Sequence, residues 1–562
     1  MKESRSRQES SQGQKNRKPV VQELYNDDDY DEVRIRLPEI IKKAIKRANE
    51  TLEPTIHEKK EIMEKIKKFI REKERKVYGG TAINETIKAK NPDDAIYDEY
   101  SFPDIEFYSP TPIADMIELT NMLYLDNYKN PVAQEAQHEE TYTIFVNIQL
   151  YCDISYVPTR VYHGIKTIVI DGIHYVDPHF ILIDQLRIIN QPLTAADQRW
   201  EKTFTRMYKL LKNYPLEFFR DPLRITKPSD ELKSYMAKIK KEYTMMKESF
   251  ESCLICGFEA YNFYIISATK KPSNAASRIS YKSDFTEYIT NIPYLELVSV
   301  NYVDTVETLF KYIKSIVKDT SKLSVKEYYP LFQFTGHSIF IMYDGDPIVH
   351  VVSANGFCVP DTISDDGYRY VTYQYILMTM LINKFRSYLD KNKEMYFNYS
   401  IAISNLVNVR NDFLNRRNLG VINNTVFGEF KISCIGETAS FLRASRLRMA
   451  EKRKQGKSNY KYEPSRYFSL TGEAQIKYGS PNHYFKNTSG NEITNPKYRI
   501  FKLDDNNDII RNNPNDKEID AEQSRVTDEY DEYDELSDLS ESDEADREDV
   551  SDFNASESDN QY

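Results

Sequence analysis

Apolar residues recur at helical spacing twice near the start of the chain, first at Ile41, Ile45, Ala48 and Leu52 and then at Ile62, Ile66, Phe69 and Ile70. Each set makes one apolar stripe along a helix. Pro54 separates them, and Thr55 and Glu58 have the capping-box spacing of a fresh start, so residues 34–76 are expected to form a helical hairpin behind the segment that follows. Residues 102–107 alternate instead. As a strand they send Ile105 and Phe107 into a core and Asp104 and Glu106 to the other face. A helix is expected over 111–124. Residues 142–156 read as one strand, with Ile144, Val146, Ile148 and Leu150 on its apolar face and Asn147, Gln149, Tyr151 and Asp153 opposite. Alternating runs at 165–170 and 173–176 flank Asp171-Gly172, a two-residue hairpin signal. Asp177-Pro178, a cap followed by a first-turn proline, then opens a helix. The next helix, 194–211, is expected to bury Trp200, Phe204, Met207 and Leu211, and its other stripe is basic: Arg199, Lys202, Arg206 and Lys209. Strands interleaved with helices in this way imply a mixed α+β domain.

The chemistry concentrates between residues 77 and 108. Gly79 and Gly80 leave backbone N–H groups open to an approaching triphosphate, and a helix expected to start at Thr81, a suitable N-cap, points its positive end the same way. Asn84 and Lys88 on that helix are placed to reach ribose or phosphate. Asp104 and Glu106 on one strand face repel each other unless a cation sits between them, and magnesium suits a site of carboxylates and phosphates. By parity Asp153 is a third acid on a polar face. The basic stripe, Lys202 and Arg206 above all, has two readings: neutralising triphosphate or RNA backbone beside the metals, or facing solvent.

The order GG-T, then D-x-E, then a lone Asp on a later strand resembles the nucleotidyltransferase superfamily. The wording YGGTAIN, FPDIEFYSP, YCDISYVP and DQRWEKTF further resembles the poly(A) polymerase catalytic subunit of large nucleocytoplasmic DNA viruses, over roughly residues 60 to 210. That resemblance implies a polymerase-beta-like palm over 77–213 in which Asp104, Glu106 and Asp153 hold two Mg2+ (or Mn2+) ions. It implies template-independent transfer of AMP from ATP to the 3′ end of messenger RNA in the host cytoplasm, at the viral factory, or in a packaged virion. Long tails call for either a homodimer or a viral processivity subunit. The gap between Gly80 and Asp104 exceeds the superfamily's usual spacing and implies an inserted loop. Other readings stay open: a nucleotidyltransferase acting on tRNA, a protein or a small molecule, or an inactive palm that scaffolds RNA.

Composition adds bounds. With 562 residues the chain has material for several domains: a polar arm over 1–33 expected to be unstructured, the hairpin, the palm, a larger α+β region over 214–510, and an acidic tail from 511. The net charge of −11 comes from that tail, since residues 521–562 hold 17 acidic residues against Arg525 and Arg547. The nearly neutral body must bind RNA through local patches. The densest is 441–468, with nine Lys or Arg beside Tyr460, Tyr462, Tyr467 and Phe468, a combination suited to gripping single strands. Five scattered cysteines fit reduced thiols, and Cys253 and Cys256 lack the second pair a zinc site needs. His337, His350 and His483 are expected to be structural. No apolar run reaches the roughly 18 residues of a membrane span. Asp344-Gly345-Asp346-Pro347 is expected to be a hairpin turn rather than another acidic pair, and its flanking strands could belong to a decayed second palm.

Overall fold

A computed structural model describes residues 24–51, 55–97, 101–136, 138–245, 252–269, 285–354, 356–436, 441–454, 460–468 and 485–512. These fall in two compact units, residues 1–61 and 62–562. The first contains helix α1 (Asp27–Thr51) and the start of α2 (Ile56–Glu72). α1 begins inside the arm expected to be unstructured, because Asn26 and Asp29 cap it reciprocally: each backbone N–H donates to the other's side chain, at 3.0 and 2.9 Å. Three aspartates in its first turn complement the helix dipole. Of the arm, residues 1–23 lie outside the described residues, as do residues 513–562 of the acidic tail.

In the second unit the remainder of α2 buries the predicted Ile62, Ile66, Phe69 and Ile70. Then come β1 (Lys76–Tyr78), α3 (Gly79–Lys90), β2 (Ile105–Ser109), α4 (Pro112–Leu125), β3 (Val132–Glu135), β4 (Thr141–Val146) and β5 (Gln149–Tyr156). After α5 (Thr159–Gly164) the hairpin β6 (Thr167–Ile170) and β7 (Ile173–Val176) turns at Asp171-Gly172 as expected, and α6 (Pro178–Ile189) starts at the Asp177 cap. α7 (Pro192–Asn213) follows. The expected long strand at 142–156 is instead the hairpin β4–β5. Asn147 and Ile148 turn it with positive φ, 49° and 70°, and Ile148 is left 90% exposed. A β-branched residue at positive φ is strained, and its apolar side chain had disguised a turn as a strand.

These strands form a mixed sheet in the order β3-β4-β5-β2-β1-β7-β6. Beyond α8 (Asp230–Met245) the pattern repeats: β8 (Cys253–Cys256), α9 (Gly257–Thr269), β9 (Leu295–Ser299), α10 (Tyr302–Ile316), β10 (Leu323–Tyr328), β11 (Ser338–Tyr343) and β12 (Asp346–Ser353), then the hairpin β13 (Val359–Ile363) and β14 (Arg369–Val371). The second sheet runs β10-β11-β12-β9-β8-β14-β13. Each neighbouring pair has the same relative direction as its counterpart in the first sheet. The C-terminal region is therefore a second palm. Its register replaces the acid set: Glu296 stands where Glu106 does, His350 beside it where Asp153 does, and Tyr294 two residues earlier in place of Asp104. His350 Nδ1 lies 3.1 Å from Glu296 Oε2, both side chains buried, and its ring stacks on Phe340. Cys253 and Cys256 are buried thiols on β8. Asp344 and Gly345 form the turn expected between β11 and β12, with positive φ at both.

Helices α11 (Tyr373–Leu389) and α12 (Lys393–Arg417) join the palms, β15 (Cys434–Ile435) extends the second sheet, and α13 (Phe441–Lys454) carries part of the basic patch. The chain then returns to the first palm: β16 (Lys461–Tyr462) pairs antiparallel with edge strand β3. This overturns the base-stacking role expected of Tyr460 and Tyr462. They are 2% and 0% exposed, and Tyr462 donates its hydroxyl to Asn121 at 2.7 Å, so they fill the catalytic core instead. Arg443, Arg446, Arg453 and Lys454 on α13 do face solvent. His483 lies outside the described residues. None of the described helices is long and apolar enough to cross a membrane.

Candidate active site

β2 runs parallel to β5 with Glu106 beside Asp153, and antiparallel to β1 with Glu106 beside Tyr78. Asp104 precedes Glu106 by two residues, so the alternation of an extended chain directs it to the same face. Immediately after β1 the backbone turns at Gly79, φ +68°, into α3. Glu106 Oε2 accepts the Gly80 N–H at 3.0 Å, and a Cβ on Gly79 would lie 1.8 Å from that oxygen. α3 therefore starts two residues before the expected Thr81 cap. Tyr78 holds the cap position without a side-chain bond, and the Glu106 carboxylate supplies the negative charge that the helix start favours. Thr81 lies in the first turn, and its hydroxyl donates to the Asp104 carbonyl at 3.1 Å.

Charge crowds this edge of the sheet. Burial first, then repulsion from Asp104, pushes the Glu106 carboxyl up to about 7. The Asp153 carboxyl rises to about 6, mainly through burial, with the Thr143 hydroxyl donating to it at 2.6 Å and opposing the rise, and with Asp104 adding to it. Among the described residues, no three acidic, histidine or cysteine side chains stand close enough to hold a metal as they are: Glu106 is turned onto Gly80 and Asp153 onto Thr143. The donor set is nonetheless all carboxylate oxygen, and the buried, mutually repelling carboxyls of Glu106 and Asp153 form a setting that a hard divalent cation suits.

The inserted loop between α3 and β2 is held by side chains distant in sequence. Asn84 Oδ1 accepts from the N–H groups of Ile96 and Tyr97 at 2.9 and 3.0 Å, so its side chain anchors this loop rather than reaching for ribose. Lys88 is exposed further along α3. Arg206 donates to the Tyr97 hydroxyl at 2.6 Å, Lys209 to the Ala95 carbonyl, and Lys212 pairs with Asp94. A Cβ on Gly80 would lie 2.3 Å from the Tyr97 hydroxyl and 2.9 Å from Arg206. The basic stripe of α7 thus faces the Gly79-Gly80 turn. Lys202 stands in the same field: Arg206 is the largest influence lowering its amine, while Asp104 and Glu106 act to raise it. On the other side of α7, Thr203, Met207 and Leu210 are buried, whereas Phe204, expected in the core, is 37% exposed against Phe430.

Residues 64–195, which contain all three acids and both glycines, match the family described as poly(A) polymerase catalytic subunit. Residues 230–503, which contain most of the second palm and both its sheet-joining helices, match the C-terminal part of the mimivirus (APMV) form of that subunit. A poly(A) polymerase catalytic subunit of Acanthamoeba polyphaga mimivirus is 51% identical over 530 residues, 92% of this chain and 90% of that protein. The chain belongs to the poly(A) polymerase catalytic subunit family. It is an enzyme of the polynucleotide adenylyltransferase class. The crystal structure of the Megavirus polyadenylate synthase superposes on this poly(A) polymerase with a TM-score of 0.83 at 58% identity, covering 89% of this chain and 98% of the other. The counterpart from African swine fever virus (isolate Tick/Malawi/Lil 20-1/1983) is 26% identical over 204 residues, 35% of this chain and 39% of its own. Sequence reasoning missed Thr143 and Tyr97 in the polymerase site. Thr143 follows from register, being directly opposite Asp153 on β4; Tyr97 has no local signal.

Proposed function

We propose that this polymerase adds AMP from ATP, without a template, to the 3′ end of messenger RNA in the cytoplasm of the host cell. The observation that carries the reading is the placement of Asp104, Glu106 and Asp153 on one sheet edge, against the N-terminus of α3 and the Arg206–Lys202 face of α7. Asp104, Glu106 and Asp153 would hold two divalent cations, Mg2+ or Mn2+, which when bound activate the attacking 3′-hydroxyl and stabilise the leaving pyrophosphate. With Glu106 holding a cation in place of the Gly80 N–H, that N–H and the positive end of α3 would be free for the triphosphate. Arg206 and Lys202 neutralise its charge, and no covalent enzyme intermediate is needed. Incubating the pure chain with an RNA primer, Mg2+ and each labelled NTP in turn should yield long ladders with ATP alone. Ladders of equal length from all four NTPs, or a single addition to a non-RNA acceptor, would overturn this reading.

Self-association completes the proposal. On α1 the apolar residues Ile41 and Ile45 are 48% and 51% exposed along one stripe, a surface that a helix normally covers. We infer that a second copy of this chain, rather than a separate viral processivity subunit, covers it. Sedimentation at the mass of a dimer is expected, and a clean monomer at micromolar concentration rules it out.

A further inference from the structure

A cleft of about 190 Å3 opens between the first palm and the joining helices α11 and α12. Its floor is apolar, with Phe180 and Leu381, and its wall holds the rings of Tyr388 and Tyr396, 6.2 Å apart between centroids. Two lysines stand over those rings: Lys166 Nζ is 4.8 Å from the centre of Tyr388 and 5.8 Å from that of Tyr396, and Lys384 Nζ is 4.9 Å from the centre of Tyr396. Neither amine forms an ion pair among the described residues. Lys384 is partly buried, its amine lowered first by that burial and further by Lys166, while Glu217 and Asp177 act to raise it. Of the nearby carboxylates, Asp177 is committed to capping α6 through the N–H groups of His179 and Phe180, and Glu217 lies exposed on the rim. Paired cations over aromatic rings, above an apolar floor, call for an anion attached to a flat ring.

The cleft also opens at the sheet edge that carries the glycine turn, since Asp177 lines it. β7 runs parallel to β1 with His174 beside Lys76 and Tyr175 beside Val77. It therefore ends, at Val176 and Asp177, on the same sheet edge at which β1 ends before Gly79, about 4.8 Å away by strand spacing. We propose that this cleft binds a nucleotide of the RNA being extended, its phosphate between Lys166 and Lys384 and its base against Tyr388 and Tyr396. Stacking and phosphate neutralisation are the two devices by which proteins grip single strands without reading sequence. The proposal rests on the RNA-extending reading above, which names the strand.

The test is the affinity of the full chain for a fluorescent oligo(A) without ATP, read by anisotropy across a salt series. The Lys166→Gln/Lys384→Gln double variant should bind about tenfold more weakly, with a salt slope smaller by about 0.7, the value for one single-strand phosphate that is no longer neutralised. Tyr388→Ala should weaken binding by a similar factor without changing the slope. In extension assays the primer concentration for half-maximal rate should rise about tenfold, with that for ATP unmoved. RNA affinities within twofold of wild type for both variants, with native melting curves, would overturn the proposal. Should either variant fail to fold, photo-crosslinking of the wild-type chain to an oligo(A) carrying a photoreactive base decides. Crosslinks at Tyr388 or Tyr396 support the site, and crosslinks found only elsewhere refute it. A wild-type chain that binds RNA but never extends it would defeat the polymerase reading alone, because the affinity measurements stand without catalysis.

Discussion

Chains carrying Asp104→Asn or Asp153→Asn should fold as wild type does yet incorporate AMP on the order of 10³-fold more slowly, because charge stabilisation by bound metal supplies several kcal/mol of the barrier reduction. Asparagine keeps the shape and removes the charge. Stability should hold or rise, since Asp104 raises the charging cost of both Glu106 and Asp153. Thermal melting beside a steady-state assay checks both halves, and full activity in either variant would sink the mechanism. The wild-type pH dependence follows from the same crowding. With Glu106 titrating near 7 and Asp153 near 6, metal has to displace protons. At limiting Mg2+ the rate should climb between pH 6 and 8, and at saturating Mg2+ its midpoint should move to lower pH. Both carboxyls are raised in the folded state, so the metal-free fold binds more protons than the unfolded chain. Its stability should therefore fall as pH rises from the ordinary carboxyl range towards 7, and Mg2+ should restore it.

Gly79→Ala is the second large effect. An alanine there must hold φ near +68° and place its Cβ on Glu106. The left-handed backbone costs about 1–2 kcal/mol, and the new methyl fills the space beside the Gly80 N–H that the triphosphate is proposed to take. We expect a lowered melting temperature and at least a hundredfold loss of AMP incorporation, taking the blocked phosphate contact as a loss of about 3 kcal/mol. The internal control is Gly257→Ala in the second palm. There φ is +60° and the new Cβ would lie 2.8 Å from Glu296 Cβ, so a similar thermal penalty is expected while the rate per folded molecule stays within about twofold. Equal activity losses in the two variants would mean that the second palm takes part in the reaction.

Much of the palm was legible because local rules carried it. Alternation around Ile105 and Phe107 placed Asp104 and Glu106 on one face, and Asp171-Gly172 and Asp177-Pro178 were turn and cap signals that tertiary packing left alone. What escaped depended on distant partners. Nothing near Asn84 shows that it will clasp Ile96 and Tyr97, nor does anything near Arg206 show that its partner is a hydroxyl 109 residues earlier. Ile148 concealed a hairpin because its side chain follows the strand pattern while its backbone does not. Tyr460 and Tyr462 looked like an RNA grip because aromatic residues beside lysines have the same composition whether they face a base or a core. Only the pairing of β16 with β3 distinguishes the two. The duplication, by contrast, shows in strand order and register, with its two acid sets reduced to a single shared glutamate.

That returning strand also sets an order on synthesis. β3 is an edge of the first sheet, and among the described residues its outer side is covered by Tyr460–Tyr462, with Lys461 and Tyr462 in register and the Tyr460 carbonyl accepting the Glu135 N–H at 2.9 Å. A ribosome that has finished residue 213 has made every acid of the active site but not the strand that closes its sheet, and it must translate the whole second palm first. Until then the nascent chain presents an open, pairing-competent edge, the feature through which β proteins aggregate. The catalytic half is complete only in a chain translated past Tyr462, and a shorter product carries the chemistry on an unfinished sheet.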